Sequence, residues 1–397
     1  MKSLIENGPA FREAYDASTA EAHSYFDKVK EWLSAQDEDL ATIDQQAAKF
    51  GDKALPFRTM LKFIESENAI RTLQQPTLLT LINPVYKETG RMQPRAEHPH
   101  GEDSLRTKIQ CMRYFESLNS NFKGRIFVID DDCPEGSGQM AEQILQQYPG
   151  SPHRVFFLGK AIDENDPDLP PGITHKDGQN RSVKGGAALF GMSKALQVTT
   201  DDLHIIVDND ADLSVHPMQL GLLIKDIAQG EAKAVIGSRR EDDSVALIGE
   251  SRNRRGSLFI KIWQYLLPEL AKTINDTNRA FKGFESEALR KILPLIRIYT
   301  FPYQIELLQA CISKGIPMVK KGIAYIDSEA ASTQNEANIT ETYLNQIHQI
   351  MDIAIRYKTI PASDPLMNHL RSVSEEEWRK IQVNPPENLL GLLAKPT

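Results

Sequence analysis

The stretch LHIIVDNDADLSVHP, residues 203–217, constrains the chain more than any other. Its first five residues are mostly apolar, too few for a helix and rich in Ile and Val, which predicts a buried strand. Asp208, Asp210 and Asp212 follow at once. In a β-like conformation a spacing of two puts these side chains on one face, where their charges repel unless a cation lies among them. Hard oxygen ligands suit Mg²⁺ or Mn²⁺, and Mg²⁺ commonly takes one or two carboxylates and leaves its other positions to water and substrate phosphates. The same spacing also fits an Asp-rich turn that caps the next helix, so both readings stand at this point.

Upstream, RSVKGGAALFGMSKAL (181–196) sets Lys184 before two glycines and then a helical run whose N-terminus favours anions. Lys184 is either a cation beside a phosphate-bearing ligand or an exposed lysine at a helix start. No G-x-x-x-x-G-K-[ST] occurs, and no G-x-G-x-x-G follows a strand, so phosphate-loop and dinucleotide-binding readings lose their main support. With 397 residues and 41% hydrophobic content the chain can bury a sizeable core and hold two or three structural units. A net charge of -8 argues against binding nucleic acid through bulk electrostatics. Cys111, Cys133 and Cys311 form no C-x-x-C pair, which points to a reducing compartment without a disulfide or zinc framework. The N-terminus carries no apolar leader, and no run of eighteen apolar residues occurs; the expectation is a cytoplasmic protein without an integral membrane segment.

Residues 1–75 are charged and helix-prone, with Phe26, Val29, Trp32 and Leu33 at helical spacing. From Thr77 the texture changes to short apolar runs ended by polar clusters: TLLTLINPVYKE, GRIFVIDDDCPEGSG, HRVFFLG, LHIIVDND and AKAVIGSRR. Helical segments at 104–118, 139–147, 187–196 and 219–229 lie between them, which predicts an α/β domain around a mostly parallel central sheet at 76–332. Ligands of such sheets bind outside the carboxyl ends of the strands, so Glu88, Asp130 to Asp132 and Asp208 to Asp212 are expected around one crevice. The segment 333–397 reads as a C-terminal helical extension that becomes irregular from Pro361. Its stripe of Tyr343, Ile347, Ile350, Met351 and Ile355 is expected to pack on the core or on a second copy, as in a homodimer formed through the helical flanks.

The order NPVYKE, VIDDDCPEGSG, KGGAALFGMSKAL, DNDADLSVHP, GSRR, DTNRAFKGF and FPYQIELL resembles family-2-type glycosyltransferases of the GT-A fold. Within them it is most similar to enzymes that move a sugar onto dolichyl or polyprenyl phosphate. The resemblance implies a nucleoside diphosphate sugar donor, with Glu88, Asp130 and Asp131 holding the nucleoside, and Lys184 and Asp210 near the diphosphate. Carboxylates at strand ends are suited to ribose hydroxyls and base N–H groups, although they equally cap the following helices. DADLSVHP matches the family's metal motif with Asp210 and Asp212, whereas the strand end at Val207 favours Asp208 and Asp210; Asp210 serves in both registers. Asp132 and Cys133 stand where the family often has Gly-Ser, and GRMQPRAEHPHGED is inserted after Glu88.

The resemblance further implies acceptor contacts from Arg252 and Arg254 at the start of an apolar helix, and from Asp276, Arg279 and Lys282. Arginine's planar fork suits phosphate or carboxylate. Glu306, among Ile305, Leu307 and Leu308, is a candidate general base, as is Asp276. The expected reaction is metal-dependent transfer of a sugar from a nucleoside diphosphate to an anionic acceptor, soluble or only peripherally presented, since the charge of -8 is unfavourable for anionic lipid. A sugar nucleotidyltransferase and a non-catalytic nucleotide-sugar binder are the other classes the residues allow.

Overall fold

Each apolar run set between polar clusters becomes a strand in the computed structural model, which describes residues 1–16, 19–176, 179–180, 182–247, 250–277, 279–327 and 339–394, with backbone alone at 176, 179–180, 250–256 and 339–342. In chain order the strands are β1 (Thr77–Val85), β2 (Phe122–Asp130), β3 (Arg154–Phe157), the short β4 (His175–Lys176) and β5 (Gln179–Asn180), β6 (Leu203–Asp208), β7 (Ala234–Ser238), β8 (Val245–Leu247), β9 (Lys282–Glu285), β10 (Met318–Gly322) and β11 (Ala324–Ile326). Among the described residues seven of them form one sheet in the order β10-β7-β9-β6-β1-β2-β3. Its pairings are parallel except at β9, which runs antiparallel to both β6 and β7. The fold is therefore α/β with a mostly parallel central sheet.

β1 and β6 are buried almost throughout, as strands covered on both faces must be. On one face Leu79, Leu81, Ile205 and Val207 pack with Phe57, Met60 and Ile64 of the Leu55–Arg71 helix, and with Ile109 and Met112 of the Ser104–Leu118 helix. On the other, Ile82, Ile129 and Ile206 pack with helices Gly185–Leu196, Glu250–Leu266, Tyr303–Ser313 and Ile339–Arg356 through Phe190, Trp263, Leu308 and Ile350. Both helical flanks thus share their apolar clusters with the sheet. Ile347, Ile350 and Met351 of the C-terminal stripe are spent on that core, and Tyr343 meets Phe259 with ring centroids 5.6 Å apart.

Past Pro361 the chain forms three more helices, Pro365–Ser372, Glu375–Val383 and Glu387–Leu393, where an irregular tail is the sequence expectation. The missed signals are start signals: Asp364 accepts from the amides of Leu366 and Met367, and Ser374 with Glu377 makes a capping box. Among the described residues no helix is long and apolar enough to cross a membrane.

Candidate active site

The carboxyl ends of β1, β2 and β6 open on one side of the sheet, and the loops that follow carry Glu88, Asp131 and the acid loop 208–216. Asp210 is the meeting point. Lys184 donates its ammonium to Oδ1, and Arg279 donates from Nη1 to Oδ2 at 2.8 Å. Burial alone would raise this carboxyl, but Lys184 and Arg279 reverse that and hold it well below the usual carboxylate range. Arg279 in turn donates to the Tyr325 hydroxyl at 2.8 Å.

Asp208 has no exposed surface, and its Oδ2 accepts from the Tyr303 hydroxyl at 2.7 Å and from Gln304 at 3.3 Å. Its Oδ1 is buried without a hydrogen-bond partner, and burial raises the carboxyl. Half-buried Asp212 accepts the Ser214 amide at 3.0 Å in the turn geometry expected of Asp. The three carboxylates therefore sit in different surroundings: one in the core, one between two cations, one in a turn. Lys282, buried on β9 beside β6, donates to Gln304 at 3.0 Å and to the Arg279 carbonyl; burial lowers its ammonium to about 7.

Lys184 itself is held in a left-handed conformation, φ 67°, with its amide donating to Asp131 at 2.7 Å. Asp131, Lys184 and Asp210 thus form one chain of contacts across three motifs. Gly185, next in the chain, admits a close backbone approach. A Cβ on Gly185 would lie 2.6 Å from the Tyr299 carbonyl carbon, and the amides of Val183 and Gly186 both donate to the Tyr299 carbonyl at 3.0 Å. What comes close is another backbone.

Other expected residues are engaged by neighbours. Asp130 caps the following helix, accepting from Cys133 at 2.9 Å and Gly138 at 2.7 Å. Asp276 takes a two-pronged grip from Arg239, at 2.8 and 2.7 Å, plus the Arg239 amide at 3.0 Å; against the raising effect of burial, this arginine drives it well below the usual range. Glu306 accepts the amides of Arg297 at 2.9 Å and Ile298 at 2.8 Å, and an ion pair from Arg356, so it clasps three segments and is not brought to the acid loop. Arg252 and Arg254 fall where the side chains lie outside the described residues.

Glu88 pairs with Arg91 at 2.5 Å; burial pushes its carboxyl up to about 7, against the opposing pull of that arginine. Arg91 leads to Glu102 at 3.8 Å, which accepts the Leu213 amide at 2.8 Å, so the insertion after Glu88 braces the acid loop. Residues that the sequence reading did not assign are Arg91, Glu102, Lys108, Arg239, Tyr303 and Gln304. The last three sit inside quoted motifs and were within reach; the others lie on a helix or insertion without pattern.

All metal-site candidates offer hard oxygen, and the partnerless Oδ1 of Asp208 is a buried acceptor that Mg²⁺ or Mn²⁺ would satisfy, whereas an ion at Asp210 would have to displace Lys184 or Arg279 from its oxygens. Among the described residues no group of three or more His, Cys, Asp or Glu side chains that could hold a metal ion is present.

No family model matches the chain. It is 27% identical over 221 residues to polyprenol monophosphomannose synthase of Mycolicibacterium smegmatis, covering 54% of this chain and 72% of that one. It is 20% identical over 269 residues to dolichyl-phosphate beta-glucosyltransferase of Dictyostelium discoideum, covering 68% and 71%. A crystal structure of glucosyl-3-phosphoglycerate synthase from Mycobacterium tuberculosis with Mn²⁺, uridine-diphosphate-glucose and phosphoglyceric acid aligns at 15% identity and TM-score 0.47, over 76% of this chain and 85% of that one. The curated relatives are sugar transferases, the class that the motif order resembles.

Proposed function

We propose that the chain is a glycosyltransferase that moves a sugar from a nucleoside diphosphate to an anionic acceptor bearing phosphate or carboxylate. The observation that carries this reading is the convergence on Asp210 of Lys184 from one motif and Arg279 from another, a paired set of charges at the mouth of an α/β crevice. The two curated relatives, named for mannose and glucose transfer, support the reaction class.

A divalent ion at Asp210, with Asp208 or Asp212, supplies counter-charge to the leaving diphosphate when bound. Lys184 and Arg279 add positive charge at the same place, where charge develops on the leaving group. We assign Glu88 and Asp131 to the nucleoside side, and Arg252 and Arg254 to the acceptor. Neither candidate base is free. Asp276 is neutralised by Arg239 and Glu306 by backbone amides and Arg356, so an acceptor whose own ionised oxygen attacks needs least from this site. That favours a phosphate or carboxylate over a neutral hydroxyl as the nucleophile.

Product analysis tests it. The chain is incubated with uridine and guanosine diphosphate sugars, Mn²⁺ or Mg²⁺, and phosphate-bearing acceptors, with and without lipid vesicles. Free nucleoside diphosphate plus a glycosylated acceptor is the expected result. Pyrophosphate would indicate a nucleotidyltransferase, and binding without turnover a nucleotide-sugar binder. Turnover only on a vesicle-borne lipid phosphate would overturn the sequence-based expectation that the acceptor is soluble or only peripherally presented.

A further inference from the structure

The Ser104–Leu118 helix turns Leu105, Ile109, Met112 and Phe115 toward the sheet, and Lys108 occupies a position on the same buried face. A hydrophobe is the expected occupant there. Lys108 has no exposed surface, and its ammonium meets three acceptors: Asn83 Oδ1 at 2.6 Å, the Asp210 carbonyl at 2.6 Å and the Ala211 carbonyl at 2.8 Å. An ammonium carries three protons, so its donors are matched by oxygens.

Two of those oxygens belong to consecutive residues of the acid loop, which at 209–216 lies beyond the end of β6 and outside helix and strand. Backbone carbonyls in such a segment have no ladder to bind them. Lys108 takes the place of the ladder and ties both peptides to β1 through Asn83, one residue beyond the point where the Asn209 amide still bonds the Ile82 carbonyl. With the carbonyls of 210 and 211 pinned, neither peptide plane can rotate, and the direction in which Asp210 leaves the backbone is set. The same ammonium puts a buried positive charge under Asp210 and Asp212.

We propose that Lys108 is a positioning residue that fixes the acid loop and so aims Asp210; its catalytic consequence rests on the transferase reading above. A satisfied core lysine without functional consequence is the competing account, and the two differ in what a substitution does beyond stability.

The experiment compares the full chain with Lys108→Met, Lys108→Arg and a control, Arg58→Met. Arg58 is buried in a two-pronged pair with Asp44, both on the N-terminal helices, so its loss destabilises through a partner outside the acid loop. Hydrogen–deuterium exchange of peptides covering 208–216 is followed together with melting temperature, kcat and donor KM for a nucleoside diphosphate sugar with Mn²⁺. The expected result is exchange at least tenfold faster in that segment for Lys108→Met, at a melting temperature no lower than the control's. kcat should fall tenfold or more with donor KM within threefold, Lys108→Arg should lie between, and the control should show neither change. Unchanged segment exchange in Lys108→Met overturns the proposal, as does faster exchange with kcat intact. If Lys108→Met does not fold, Lys108→Arg decides alone: its planar fork cannot fill a three-acceptor nest, and wild-type exchange and kcat in that variant overturn the proposal. A wild-type chain that turns over no donor refutes the transferase reading instead, and is recognised because the exchange contrast between variants then persists by itself.

Discussion

At the scale of single residues, Asp210 is held between two cations, and those cations lose their anion if it is neutralised. Asp210→Asn should destabilise the chain and lower turnover per folded molecule by about 10²- to 10³-fold, measured as nucleoside diphosphate release, because counter-charge at a leaving group is usually the largest single contribution to such catalysis. Full activity of the variant in the presence of EDTA would sink the assignment. Glu306 should behave in the opposite way. Its carboxylate is bound to two amides and Arg356, so Glu306→Gln should cost about 2–4 kcal/mol of stability in urea titrations while turnover per folded molecule stays within about twofold. Both residues drew attention in the sequence as acids beside apolar runs. What separates them is partnership over long sequence distance, with Lys184 and Arg279 for one and Arg356 for the other, and no local pattern encodes that.

At the scale of elements, the turn before the Gly185–Leu196 helix is pressed against the backbone at Tyr299 and Thr300. Gly185→Ala should push these segments apart, lower the melting temperature and weaken donor binding in calorimetry, since Lys184 rides on the same turn. Retention of wild-type affinity would mean that the Tyr299 segment yields freely. The runs of Ile, Val and Phe mark β1, β2, β6 and β7 nearly in place, because a strand buried on both faces needs apolar residues in succession and leaves that trace, while β3 is a half-buried edge strand marked by Val155, Phe156 and Phe157. The stretch 318–326 breaks at Ile323 into two strands, which no local pattern announces: β10 joins the large sheet and β11 pairs with β8. β9 left no trace at all. KGFE is too short to show alternation, and its antiparallel place between β6 and β7 is decided by what it pairs with.

At the scale of the whole molecule, the N-terminal helices act as a buttress. The hydroxyl of Tyr15, buried at the end of the Phe11–Tyr15 helix, shares its one proton between the Ser214 carbonyl at 2.7 Å and the Ala324 carbonyl at 3.0 Å and accepts the His216 amide at 2.9 Å. Tyr15→Phe leaves the buried His216 amide without its partner, while the Ser214 carbonyl keeps the Ile326 amide and the Ala324 carbonyl keeps Gln219, and should cost about 1–3 kcal/mol, read by chemical denaturation. Acid should act on the interior as well. His153, 6% exposed, accepts the Ile126 amide on Nδ1, and burial together with Arg113, Arg154 and Arg125 pushes it down to about 4. The unfolded chain takes up this proton below its ordinary value near 6.5 and the folded chain only near 4, so the contribution is present above that window and is lost as pH falls through it. His153→Asn should flatten the stability–pH slope between those values, by up to about 3 kcal/mol across the window.

The buttress also sets an order of events. Tyr15 waits for Ala324, 309 residues later in the chain, and Arg12 for the Asp327 carbonyl, 315 residues later. During synthesis the first helices emerge with their apolar sides ready and the surfaces that receive them still unmade, for tens of seconds at ordinary elongation rates of about 5–20 residues per second. They must stay uncommitted, or be shielded, until the last strands have joined the sheet. Closing so long a loop is slow relative to forming the local helices, so the acid loop is locked among the last parts of the protein to settle.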